Sequence, residues 1–173
     1  MKNIEKEKLQ TLLNIIGSNP SQRIVHFTDG GETFIDTLFD YCSPKEYLYQ
    51  INCTDSTSFE NISEKFRESN IAKVRELPLE RKSYMMQGKQ YDFLFVTSTV
   101  TEANRDDFLK RTHKIILNAG NIVVFVPKND YTQRYNWIEL LEENYYVATN
   151  TIDDLFENYD VIISKKMHGW GEK

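Results

Sequence analysis

The segment from residue 23 to residue 33 constrains the fold most, because an apolar run in it stops at a glycine pair and apolar residues then return at helical spacing. Residues 24–27 predict a strand, and Gly30 and Gly31 predict a tight turn. Phe34 opens a helical pattern directly after the turn. In α/β proteins such a turn lies at the carboxyl end of a strand, beside a helix amino terminus, where small ligands usually bind.

Composition predicts an ordinary globular protein, with 40% hydrophobic, 13% aromatic and 27% charged residues in 173. No linker divides the chain, so we expect a single domain over residues 1–173. No apolar run approaches the roughly 20 residues of a membrane span, and residues 1–6 lack the apolar block of a signal peptide. We therefore expect a cytoplasmic protein with no membrane partner.

Charge disfavours a nucleic-acid partner, because 21 basic against 26 acidic residues give a net charge of −5. The best basic clusters, at residues 110–114 and 165–166, are typical of solvated surface. The two cysteines, Cys42 and Cys53, lack metal-ligand spacing and are predicted to be reduced packing residues. We place no metal, since Asp106, Asp107 and Asp130 do not have the arrangement of a metal-dependent site.

Apolar residues at helical spacing predict four helices in addition to the one between the central strands. The first ends near Gly17, and the second is broken by Ser43-Pro44. The apolar positions of the four are Leu9, Leu12, Leu13 and Ile16; Phe34, Ile35, Leu38, Phe39 and Cys42; Phe59, Ile62 and Phe66; and Tyr131, Tyr135, Ile138, Leu141 and Tyr145.

Short apolar runs predict the strands. Residues 47–51 form one, and residues 71–77 alternate with charged residues as an outer strand does. Residues 93–96 and 122–126 are continuous apolar runs rich in β-branched and aromatic residues, so we expect them at the centre of a parallel sheet. The helix predicted between these two runs stops at Gly120 and carries Phe108, Thr112, Ile115, Ile116 and Ala119.

Residues 146–152 and 161–163 predict two closing strands, which must pair antiparallel because they lie so close in sequence. The predicted fold is therefore a three-layer α/β sandwich. Its mostly parallel seven-stranded sheet has one antiparallel strand near the carboxyl terminus.

This order of elements resembles the class I S-adenosylmethionine-dependent methyltransferases over nearly the whole chain. In that family the first strand leads into a Gly-rich loop preceded by an acid, the second ends on a ribose-binding acid, and the fourth begins with a Tyr/Phe-Asp pair. Tyr91-Asp92 matches the last pattern, and residues 117–125 are similar to the leucine, glycine, glycine segment before the fifth strand. The resemblance implies S-adenosylmethionine as cofactor.

The chain departs from the family pattern at the Gly-rich loop. His26 stands at the position of the acid, Thr28 and Glu32 replace the outer glycines, and only Gly30 coincides. Asn52 stands where the ribose acid is expected, and an amide lacks the charge-assisted, bidentate contact of a carboxylate. The cofactor site that the resemblance implies has Thr28, Asp29, Gly30 and Gly31 under the methionine part, and either Asn52 or Asp55, three residues further on, at the ribose.

Asp29 and Glu32 also have the spacing of a capping box, in which Asp29 accepts free amides and Glu32 reaches back. The same two carboxylates can cap the helix and also contact a ligand. In either case two carboxylates repel a pyrophosphate, which disfavours dinucleotides and flavins. A sulfonium with a free amino group is tolerated there.

No catalytic residue is assigned. The residues after the fourth strand, 97–101, contain neither an Asn/Asp-Pro-Pro-aromatic tetrapeptide nor a Pro-Cys nucleophile, and their hydroxyls are interpreted as caps for the next helix. His26 is interpreted as a hydrogen-bonded packing residue of a core strand, and His113 as a residue of a helix surface.

Two hypotheses follow. The first is a divergent methyltransferase in which proximity and orientation drive transfer, with the substrate, a small molecule or a protein, left open. The second is a cofactor-less methyltransferase-like domain that serves as a protein-binding or structural subunit. Trp170, between two glycines near the end of the chain, is expected either to fold back on its own domain or to anchor a homodimer.

Overall fold

The computed structural model describes residues 1–167, and its centre is one seven-stranded sheet. The strands are β1 Arg23–Thr28, β2 Leu48–Cys53, β3 Ala72–Glu76, β4 Tyr91–Val96, β5 Ile116–Pro127, β6 Tyr146–Ile152 and β7 Tyr159–Lys166. The helices are α1 Lys6–Leu13, α2 Glu32–Cys42, α3 Ser56–Lys65, α4 Glu102–His113 and α5 Tyr131–Glu143. Residues 168–173 lie outside the described residues, and with them both predictions for Trp170.

The strand order is β3-β2-β1-β4-β5-β7-β6. The inner strand β1 runs parallel to both neighbours, with Val25 opposite Gln50 on β2 and Leu94 on β4. The last strand in sequence, β7, runs antiparallel to both β5 and β6. The predicted sheet and its antiparallel strand near the carboxyl terminus are therefore confirmed, as is the position of β3 at an edge.

Helices cover both faces of the sheet, as the continuous apolar strands require. One apolar cluster joins Ile24 of β1 to buried side chains of α1, α2 and α3. The other joins Val25, the next residue of β1, to buried side chains of α4 and α5. Because successive strand residues point to opposite faces, a single buried strand supplies both clusters, and the predicted three-layer sandwich is confirmed.

The prediction for residues 115–120 was wrong. Helix α4 ends at His113, and Ile115, Ile116 and Ala119 belong to the start of the long strand β5 or precede it directly. Gly120 does not stop a helix, because it lies inside β5 where the register with β4 shifts. A Cβ atom there would lie 2.8 Å from the carbonyl oxygen of Leu117 and 3.0 Å from that of Asp92. Close backbone approach therefore explains this glycine.

The apolar stripe predicted for α5 is only partly buried. Tyr131 and Tyr135 are 52% and 63% exposed, and Tyr145 lies beyond the helix end. Trp137 and Leu141 form the buried face instead. The tyrosines at helical spacing led to a wrong prediction of the buried face of α5, because a phenol ring can remain at the surface. The Trp137 ring is buried instead and packs on Phe108 of α4.

Both cysteines are free and fully buried, as the sequence predicts, and burial raises the pKa of each thiol to about 12. Within residues 1–167, no helix combines the length and apolar character needed to cross a membrane.

Candidate functional site

The candidate site lies at the carboxyl ends of β1 and β4, where the strand order reverses direction along the sheet. The connection after β1 leads to α2 on one face, and the connection after β4 leads to α4 on the other. The loops therefore diverge and leave a crevice between them, which is the usual ligand position in an open α/β sheet. The turn at residues 28–31 forms one wall of this crevice.

Hydrogen bonds within the turn fix its shape. The Thr28 hydroxyl accepts a bond from the Gly30 amide at 3.0 Å and donates to the Gly30 carbonyl at 2.8 Å. Gly30 and Gly31 have φ angles of 129° and 105°, which L side chains rarely adopt. The Ser58 hydroxyl donates to the Asp29 carbonyl at 2.6 Å and ties the turn to α3. The predicted turn is present, and its glycines are required by the backbone.

Asp29 joins the turn to the loop after β4. One carboxylate oxygen accepts a hydrogen bond from the Thr99 amide at 3.0 Å, and the other lies 3.5 Å from the amino group of Met1. The predicted capping box is wrong, because Gly31 occupies the cap position of α2 and no side chain among residues 1–167 caps that helix. Two glycines separate Asp29 from the helix and let its carboxylate face the crevice instead.

His26 lies below the turn in the middle of β1 and is fully buried. The Tyr49 hydroxyl lies 2.8 Å from Nδ1, and the Thr97 hydroxyl lies 2.7 Å from Nε2. Burial, with a smaller contribution from the positive amino group of Met1, lowers the pKa of His26 to about 3. The ring is therefore neutral near pH 7, and its interpretation as a hydrogen-bonded packing residue is confirmed.

Asn52, at the predicted ribose position, is 1% exposed. Its carbonyl oxygen accepts hydrogen bonds from Arg75 Nε at 3.0 Å and from Gln50 Nε2 at 3.2 Å. The same guanidinium donates to the carbonyl of Tyr84 at 2.7 Å and so holds the loop that follows β3. The acceptor atom of Asn52 is already used within the protein, which the sequence did not reveal because it gives no sign of the partner on β3.

Asp55 caps α3 and accepts a hydrogen bond from the Ser58 amide at 3.3 Å. Its side chain is exposed. The structure therefore brings four of the six predicted residues, Thr28 to Gly31, into one turn. Asn52 lies near the end of β2 and Asp55 just after that strand, but neither lines the two cavities that contain Asp29.

Two cavities flank Asp29. The first, of about 260 Å³, lies between α2 and α3, and we call it the α2–α3 cavity. Besides Asp29, Gly30 and Gly31, it has an apolar floor of Ile35, Ile62 and Phe66. The second, of about 220 Å³, lies over the ends of β4 and β5, and we call it the β4–β5 pocket. Its lining is Met1, Asp29, Thr97, Ser98, Thr99, Phe125, Pro127, Gln133 and Tyr159.

Ser98 is the most informative lining residue that sequence reasoning missed. It is 6% exposed, and its hydroxyl has no hydrogen-bond partner within residues 1–167. The hydroxyls after β4 were predicted to cap α4, but Thr101 at the cap position makes no side-chain cap bond, and Thr97 bonds to His26 instead. A buried hydroxyl without a partner is uncommon and marks a place where a ligand or water atom can bind.

The chemistry available around Asp29 is that of binding. The described residues of the crevice offer a carboxylate, a backbone amide that is already bound to it, and hydroxyl and amide side chains. In the described part of the chain, no three His, Cys, Asp or Glu side chains come together as metal ligands would.

No protein-family model and no curated protein sequence matches the chain. Among solved structures, the CurJ carbon methyltransferase superposes with a TM-score of 0.70 and 14% identity over 92% of this chain and 54% of its own. A TehB-like SAM-dependent methyltransferase from Corynebacterium glutamicum gives 0.69 and 14% over 92% and 87%. The N-methyltransferase NodS from Bradyrhizobium japonicum gives 0.68 and 10% over 94% and 96%. The chain thus spans about half of CurJ but nearly all of NodS, and at these identities the likeness shows the fold.

Proposed function

We propose that this chain, which has the class I methyltransferase-like fold, binds S-adenosylmethionine at the turn of residues 28–31 and acts as a divergent methyltransferase. One observation carries the proposal. The Asp29 carboxylate, oriented by the Thr99 amide, already lies beside a positively charged amino group, that of Met1. The methionine half of the cofactor carries an amino group of the same kind, and it would take the place of Met1.

The residues around the turn fit the methionine half. Gly30 and Gly31 present no side chain, so a ligand can approach the backbone closely. No side chain of the described residues caps α2, so the first-turn amides of this helix are available to a carboxylate. Asp29 supplies the charge for the amino group, and charge-assisted hydrogen bonds of this kind are about twice as strong as neutral ones.

The residues at the end of β2 do not fit the nucleoside half in the arrangement that the structure has. Asn52 is buried with its carbonyl oxygen bonded to Arg75 and its Nδ2 without a hydrogen-bond partner among residues 1–167, and Asp55 is used as a helix cap. This observation favours a second candidate function, a cofactor-less domain that acts as a protein-binding or structural subunit. If the chain is a methyltransferase, its affinity for S-adenosylmethionine depends mainly on the methionine half of the cofactor and is weak.

The residues of the β4–β5 pocket would position a methyl acceptor. When bound, the cofactor would supply an activated methyl group. Ser98 and Gln133 can donate or accept hydrogen bonds, and Phe125 supplies an apolar surface. His26 does not act as a base, because its ring is buried and both nitrogens are hydrogen-bonded. Any acceleration would therefore come from proximity and orientation.

Titration calorimetry with S-adenosylhomocysteine and S-adenosylmethionine tests the proposal. We expect wild type to bind both, and Asp29→Asn to weaken binding by about tenfold because it removes the charge but keeps an acceptor for Thr99. Asp40→Asn, at an exposed position of α2, is the matched control and should bind like wild type. Asp55→Ser keeps a capping side chain, so weaker binding in this variant would assign Asp55 to the ligand. Absence of binding in wild type and in the variants would favour the cofactor-less subunit.

A further inference from the structure

Residues 1–5, which we call the strap, are tied to the segment that leads into β7. The Lys2 amide donates a hydrogen bond to the Tyr159 hydroxyl at 3.0 Å, and the same hydroxyl donates to the Lys2 carbonyl. The Asn158 side chain donates to the Asn3 carbonyl at 3.2 Å. The Glu157 amide donates to the Glu5 carboxylate at 3.1 Å.

These bonds place Met1 inside the crevice. Its side chain is only 2% exposed, and it lines the β4–β5 pocket together with Ser98. Its carbonyl oxygen would lie 2.8 Å from a Cβ atom at Gly31, a distance that only glycine permits. The strap thus occupies the space between the turn and the pocket, and its position depends on a glycine of that turn.

Surface hydrogen bonds, two apolar side chains and the ion pair between the Met1 amino group and Asp29 hold the strap. All of its hydrogen bonds to residues 157–159 lie at the surface, where water competes for the same groups. Its apolar anchors are Ile4, 8% exposed, and Met1. Segments with few buried contacts open locally at a small fraction of the free energy of global unfolding. Local opening of this kind would let the strap leave the crevice while the sheet stays folded.

We propose that the strap is a gate, which closes the β4–β5 pocket in the structure described here and has to move before a ligand reaches Asp29 and Ser98. The Ser98 hydroxyl supports a ligand site beneath the strap, because it is polar, buried and without a hydrogen-bond partner among residues 1–167 in the closed state. The gate is inferred from contacts within this chain and does not depend on which ligand binds. Naming S-adenosylmethionine as the ligand it admits rests on the proposed function.

Thiol labelling measures the gate without any ligand. Ser98→Cys puts a thiol into the pocket. The native thiols of Cys42 and Cys53 are not expected to react with the label, because they are fully buried. In this background, Glu5→Ala combined with Asn158→Ala removes two strap bonds outside the pocket. We expect iodoacetamide to label the introduced thiol about tenfold faster in this strap-loosened protein. Glu7→Ala, an exposed position of α1, is the control. Equal labelling rates with and without the strap substitutions would overturn the gate.

Hydrogen exchange on the unaltered chain provides a test that does not depend on the folding of any variant. The Lys2 and Glu157 amides, which are bonded across the strap, should exchange about a hundredfold faster than the amides of β1. Equal protection would mean that the strap opens only with the whole domain, and the gate would be wrong.

Calorimetry with S-adenosylhomocysteine, in which the two strap substitutions are made in the chain that keeps Ser98, separates the gate from the proposed function. Faster labelling together with a lower Kd, by about fivefold, in the strap-loosened protein supports both. Faster labelling with no binding in any protein keeps the gate and overturns the cofactor proposal. Unchanged labelling with equal binding in wild type and the strap-loosened protein overturns the gate and keeps the cofactor.

Discussion

The Nε2 atom of His26 lies 2.7 Å from the hydroxyl of Thr97, so the middle of β1 is joined directly to the residue that follows β4. The Tyr49 hydroxyl of β2 binds the other ring nitrogen at 2.8 Å. Three neighbouring strands thus share one buried polar contact beneath the crevice. Both hydrogen-bond partners of the ring are hydroxyls, which can donate or accept, so a neutral imidazole satisfies both hydrogen bonds. A protonated ring would gain no opposite charge from these hydroxyls to offset the cost of burying its own charge.

This contact predicts a pH dependence of stability. The pKa of His26 is lowered from 6.5 to about 3 in the folded protein, so between these values the unfolded chain binds more protons and stability falls as the pH falls. From pH 7 to pH 5 the loss due to this residue is about 2 kcal/mol. Urea unfolding at both pH values should show a smaller loss for His26→Gln than for wild type. An identical loss in the two proteins would contradict the assignment to His26.

A second prediction concerns Asn52, the acceptor for Arg75. Asn52→Ala leaves the guanidinium Nε of Arg75 without its partner in a half-buried position, which should lower the free energy of unfolding by about 1–3 kcal/mol. Asn61→Ala, at an exposed position of α3, should change it by less than about 0.5 kcal/mol. Denaturant unfolding checks both. A loss for Asn52→Ala no greater than that for Asn61→Ala would show that the bond to Arg75 contributes nothing.

Much of the fold could be predicted because buried strands have a strong signature. The continuous apolar runs of β4 and the second half of β5 identified the centre of the sheet, and the spacing of β6 and β7 required the antiparallel pair. Residues 115–120 could not be predicted, since Ile115 and Ile116 satisfy both the helical period and a buried strand. Only the close approach of Gly120 to the Asp92 carbonyl, a contact between strands, distinguishes the two.

Only the part of the candidate site that consists of residues adjacent in sequence could be predicted. The turn at residues 28–31 follows from a strand, two glycines and a helix in sequence order. The orientation of Asp29 does not, because its partners Thr99 and Met1 lie 70 and 28 positions away in the chain. The strap contacts likewise join the first five residues to residues 157–159. Pairings over such separations leave no mark on the periodicity of a single sequence.

The two glycines of the turn should respond differently to alanine. Both residues have positive φ angles, so each substitution should cost about 1–3 kcal/mol in backbone strain. At Gly30 the added Cβ would meet, among the described residues, the Ser58 hydroxyl at 3.6 Å, whereas at Gly31 it would lie 2.8 Å from the Met1 carbonyl. Gly31→Ala should therefore also displace the strap. Hydrogen exchange of the Lys2 amide should accelerate in Gly31→Ala and not in Gly30→Ala, and equal acceleration in both would contradict the proposed contact.

The last prediction uses the neighbouring residues Ala119 and Gly120 in β5. Gly120→Ala places a Cβ atom 2.8 Å from the Leu117 carbonyl oxygen, and since backbone cannot move aside easily the overpacking should cost about 1–3 kcal/mol. Ala119 has a φ angle of 67°, in the left-handed region, so Ala119→Gly should relieve strain and raise stability by up to about 1 kcal/mol. Thermal and urea unfolding of the two variants provide the comparison. Suppose instead that Gly120 ended a helix in the left-handed conformation. Gly120→Ala would then lose only the free energy needed to place alanine in that conformation, and Ala119→Gly would be destabilising because glycine is unfavourable within a helix. Opposite signs for the two substitutions would thus confirm the strand, and a loss of stability in both would contradict it.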